Sequence, residues 1–180
     1  MKTKIALTIC CFAAFAHSAW AAPEMFKDSK AMMEDHNDYP PENGSYKVLS
    51  KKPLHVQILP TIFKGDVERN IKYEANKAAV YAVYRVLFQT PANTVKVTVL
   101  PRELDVQTHK YTPAPKYAFT FSLNREKALK LSSQYAGIDN SDDLFQNDGY
   151  QWAESFRACC YSDRGNPGLA AFVQELKNSR

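Results

Sequence analysis

Two adjacent cysteines, Cys159 and Cys160, are the most chemically unusual residues of this chain. Neighbouring thiols have several fates. Joined to each other they close a strained, reducible ring, which demands a distorted turn rather than a helix. Joined to another chain they make a disulfide-linked dimer. Left reduced, they are small apolar residues lining a core at a helix end. An oxidising compartment works against two free thiols side by side. The pattern speaks against a cysteine nucleophile, which needs a base beside it. His36, His55 and His109 all lie far upstream, and no local signature surrounds them.

A second set of reactive side chains is dispersed. His109 lies near Asp105 and Tyr111, and His55 is remote from them. A small hydrolase would need His55, His109, Asp105 and Cys160 to converge in one pocket. The runs Glu34-Asp35-His36-Asn37-Asp38 and Asp139-Asn140-Ser141-Asp142-Asp143 concentrate metal-type donors. A calcium loop also needs a central Gly and a distal Glu. In the second run those places hold Leu144 and Tyr150, and the first lacks the spacing as well. Both read as solvated turns and helix caps, so neither a metal nor a cofactor is expected. The chain has no Gly-x-Ser-x-Gly elbow, His-Glu-x-x-His site, phosphate loop or Cys-x-x-Cys pair. Every enzyme class with a compact signature loses its support.

The elements that would position these residues follow from periodicity. Leu54, Val56 and Ile58 alternate with His55 and Gln57, a strand pattern that Pro60 ends. Asp66 is placed to cap a long helix that runs to Phe88 or Gln89. From Ala78 to Phe88 that helix is apolar nearly all round, interrupted by Arg85, which marks it as central and buried. Its Tyr73, Tyr81, Tyr84 and Phe88 cannot all face one sheet, so some must meet the C-terminal helices. Val95, Val97 and Val99, and later Tyr117, Phe119, Phe121 and Leu123, alternate with polar residues as in strands covered on one face. Leu104 and Val106 continue the first of these past Pro101, which puts the hairpin tip at Thr112 to Pro115. Asn124 caps a helix over 125–134 and Gly137 ends it. Tyr150 to Cys159 is again helical in pattern, and Asn166-Pro167 starts a last helix. The expected fold is α+β, an antiparallel sheet of three to four strands packed on one long helix, followed by a C-terminal helical cluster.

Residues 22–45 read as an arm or linker before this domain of residues 46–180. The Glu24–Asp35 stretch is helical in pattern, and a turn-rich stretch follows it. Residues 1–21 read as a signal peptide. They combine a basic head, an apolar run of about 7–15 residues and Ala19-Trp20-Ala21. That run is shorter than the roughly 20 residues of a membrane span. Loss of Lys2 and Lys4 lowers the formal charge from +4 to +2. So small a balance argues against a nucleic-acid partner. With 180 residues, 45% of them hydrophobic and 12% aromatic, the chain is globular rather than disordered. Together these features describe an exported bacterial envelope protein, periplasmic or secreted, that is non-catalytic and binds another protein. A secretion or conjugation accessory and an immunity-type inhibitor both fit. The alternatives are the small hydrolase and a redox-sensitive disulfide protein.

Overall fold

The protein is described by a computed structural model covering residues 24–146 and 148–179. The signal-peptide reading of residues 1–21 therefore lies outside the described residues.

Asp28 starts the first helix, α1 (Ser29–His36), by accepting hydrogen bonds from the backbone N–H groups of Lys30 and Ala31. This capping places the start, Ser29, five residues later than the apolar pattern predicts. Met32 and Met33 on its inner side are fully buried. Then β1 (Tyr46–Lys51) and β2 (Leu54–Ile58) form an antiparallel pair. Beyond Pro60 the chain makes the short strand β3 (Thr61–Phe63). Asp66 closes the next turn by accepting from Phe63 N–H, and it does not cap the following helix. That helix, α2 (Glu68–Gln89), is preceded by Val67 and is buried on all faces from Ala78 to Gln89. Several alanines there let it lie close to the sheet.

Helix α2 leads to β4 (Thr94–Val99), which pairs with β2 in parallel. The last strand of this sheet, β7 (Phe119–Asn124), runs antiparallel to β4, giving the order β1-β2-β4-β7. The sheet is thus mixed where the sequence predicts an antiparallel one. A helix of 22 residues carries the chain back along the sheet. It starts the next strand from the same end as β2, as crossover connections do.

Both parallel strands pass into a second sheet. β4 continues beyond Pro101 as β5 (Arg102–Asp105), just as β2 continues beyond Pro60 as β3. Backbone bonds from Leu100 N–H to Ile58 O and from Arg102 N–H to Pro60 O, both 2.9 Å, span the junction. With no N–H of its own, a proline interrupts the ladder, and here two of them mark the bend. The order of this smaller sheet is β3-β5-β6, with β6 (Lys110–Pro113) on its outer edge. The β5–β6 turn lies at Val106 to His109, not at Thr112 to Pro115. Asp105 holds it by accepting from Gln107 and Thr108 N–H, and His109 takes a positive φ of 55°.

The C-terminal cluster is made of α3 (Arg125–Ala136), α4 (Glu154–Cys160) and α5 (Leu169–Asn178). The Asn124 cap and the Gly137 terminator stand where the sequence predicts them. Helix α5 begins later than expected. Asn166-Pro167 is a cis peptide in the preceding loop, and Gly168 is the residue that leads into the helix. Tyr84, Phe156 and Phe172 pack together where α2, α4 and α5 meet, Tyr84 stacked on Phe172 and Phe156 edge-on to Phe172, as the surplus of aromatics on α2 requires. Among the described residues, no helix is long and apolar enough to cross a membrane.

Candidate functional site

Arg85 is the place to begin, because a charge inside an apolar helix face must be compensated. It is 1% exposed. Its guanidinium donates to Gln89 Oε1 at 2.9 Å, to Gly149 O at 2.5 Å and to Tyr150 O. It also lies over the rings of Trp152, Phe145 and Tyr81, at 4.4, 4.8 and 5.4 Å from their centroids. The cation is therefore caged by aromatic faces and carbonyl oxygens, not by a carboxylate.

Gln89 extends this network to α1. Its amide donates to Gly149 O, so its oxygen is the acceptor for both Arg85 and His36. His36 Nε2 must then carry the proton in the 2.9 Å bond. Burial, and then the nearby Arg85 charge, hold His36 below its ordinary pKa. Tyr150 Oη donates to Asp35 at 2.7 Å, a second tie between α1 and the loop that carries Gly149.

In front of Arg85 opens a cleft of about 500 Å³. One wall is α2 with Glu74, Lys77 and Tyr81, and the opposite wall is the smaller sheet with Arg102 and Tyr111. Asp38, Tyr39, Trp152 and Tyr161 complete the lining. Arg102 is held in place by donating to Asn43 O at 2.8 Å and to Asn43 Oδ1, and it lies 4.1 Å from the centroid of Tyr111. Lys77 lies over the Tyr161 ring. Burial pushes the Tyr39, Tyr81 and Tyr161 phenols far above their usual range, and Asp38 adds to the rise in each. These hydroxyls stay protonated and available as donors. Tyr81 Oη, Arg85 Nε and Arg102 Nε are buried without a hydrogen-bond partner.

Cys159, Cys160, His55, His109 and Asp105 all lie outside the lining of this cleft. Cys159 and Cys160 sit in the last turn of α4, both buried, with their sulfurs bonded to each other. His55 lies on the larger sheet, where Nε2 meets Thr98 Oγ1 at 2.9 Å, and Thr98 in turn meets Thr120 at 2.8 Å. Burial and then Lys96 lower its pKa. Asp105 and His109 flank the β5–β6 turn together. Hydrogen bonds from Thr108 and Gln107 N–H hold the Asp105 carboxyl below its ordinary pKa. No hydrogen bond among the described residues links His55, His109, Asp105 and Cys160. Nor do the described residues bring three or more His, Cys, Asp or Glu side chains together as a metal site. Arg85 gave the clearest signal in sequence, a charge inside an apolar helix, while Asp38, Tyr81 and Tyr111 carry no sequence sign that they share a pocket.

Comparison with protein-family models, curated proteins and solved structures finds no match to this chain.

Proposed function

We propose that the protein is an exported bacterial envelope protein that acts by binding another protein rather than by catalysis, as a secretion or conjugation accessory or an immunity-type inhibitor. One observation carries the reading. Phe63, Leu104 and Tyr111 stand in register across β3, β5 and β6, so their side chains share one face of the smaller sheet. Phe63 is 51% exposed, Tyr111 49%, and Val106 in the adjoining turn 60%. All four residues of β6 are exposed, which leaves this edge strand open to pairing. A contiguous apolar row beside an open strand edge is a feature of recognition surfaces.

A photo-crosslinking side chain placed at Phe63 tests this in intact envelopes, with Lys130 on the exposed side of α3 as the control. The expected result is a discrete adduct at Phe63 that Tyr111→Ser abolishes. If Phe63 yields only the background seen at Lys130, the reading fails.

A further inference from the structure

Five charged residues, Asp38, Glu74, Lys77, Arg85 and Arg102, line the same cleft. None of them takes part in an ion pair with another described residue. Elsewhere the chain does pair its charges, as in Glu68 with Lys72 and Glu154 with Arg157. The two arginines are 1% and 7% exposed, and their positions are fixed by backbone carbonyls and by Asn43. Opposite charges that share a cavity but do not meet across it leave their pairing to a guest.

We infer that the cleft between α2 and the smaller sheet binds a zwitterion, a free amino acid or short peptide with an unblocked amine and carboxylate. The carboxylate end belongs to Arg85 and Arg102, because arginine donors suit a planar anion. The ammonium end belongs to Asp38 and Glu74. Between them Tyr39, Trp152 and Tyr161 offer apolar walls, and a volume of about 500 Å³ admits a dipeptide. A simple anion would leave the two carboxylates facing it, and a simple cation would meet three positive side chains. Only a ligand of both signs satisfies the whole lining. Tyr111 borders both the cleft and the docking row, and calorimetry with small peptides needs no protein partner, so it tests the cleft apart from the docking reading.

The test is calorimetry of the full chain with alanyl-tyrosine, its N-acetylated form and its C-amidated form at about millimolar concentration. The expected result is saturable binding of the free dipeptide, weakened at least about tenfold by blocking either end. Arg102→Gln should weaken the free dipeptide and remove the penalty for amidation. Glu74→Gln should do the same for acetylation. Both positions are served by wild-type-like circular dichroism as a folding check. Equal affinity for free and blocked forms overturns the inference. So does the absence of binding heat with free tyrosine and the free dipeptide alike, which would assign the cleft to ordered water only.

Discussion

Arg85 holds together parts of the chain that are distant in sequence. Its hydrogen bonds reach Gly149 and Tyr150, and through Gln89 they reach His36 on α1. Arg85→Met keeps much of the bulk but leaves Tyr150 O without its donor, while Gly149 O and Gln89 Oε1 keep theirs from Gln89 and His36. Chemical denaturation should register a loss of about 1–3 kcal/mol, the cost of one orphaned acceptor. His36 makes a separate prediction. Its pKa in the folded protein is lowered, mainly by burial and then by Arg85, against opposing Asp35 and Asp38 charges. The unfolded chain therefore takes up that proton first, at a pH of about 6.5. The His36 contribution is complete above that pH. It declines as the pH falls toward the lowered folded value and levels off below it. Thermal melts from pH 7 to pH 5 should drop more steeply for the wild type than for His36→Gln. Parallel profiles would show that the burial of His36 is not felt.

Single glycines separate two kinds of constraint at the scale of helices and loops. At Gly165 an added Cβ would sit 2.7 Å from the carbonyl oxygen of Ala158 and 2.9 Å from its carbon, both backbone atoms of α4. Neither can swing aside, so Gly165→Ala must push the loop off the helix, at about 1–3 kcal/mol. At Gly137 there is open space, but φ is 68°. Gly137→Ala should cost about 1–2 kcal/mol through conformation alone. Unfolding titrations separate the two: a second substitution, Ala158→Gly, cannot relieve the first clash, because the obstacle is main chain. Helix α3 was legible in sequence because Asn124 and Gly137 are local signals that need no tertiary information. The direction of β4 was not legible. Alternation of Val95, Val97 and Val99 says which face is buried, and it is the same for either pairing direction. The turn at residues 106–109 was misplaced for a related reason. The prolines after Tyr111 look like a tip, while Asp105 forms its hydrogen bonds only once the turn has closed.

For the whole molecule, the cleft was invisible in sequence because its walls come from several separated stretches. Asp38, Glu74, Arg102 and Tyr161 share no spacing pattern, and only packing of the smaller sheet against α2 brings them together. The cysteine pair was visible at once, and the structure puts its bond inside the last turn of α4. Intact mass of protein purified without reductant should be two hydrogens below the reduced value, and non-reducing gels should show one chain. A doubled mass would assign the sulfurs to a partner. The proline bends carry a consequence for mechanics. Because the cleft's outer wall grows from the same two backbones that form the centre of the larger sheet, it behaves as a bracket rooted at Pro60 and Pro101. Pressure on Phe63 or Val106 at the free end should tilt that bracket about its root and widen or narrow the mouth of the cleft, so that whatever grips the tip also adjusts the grip on a guest inside.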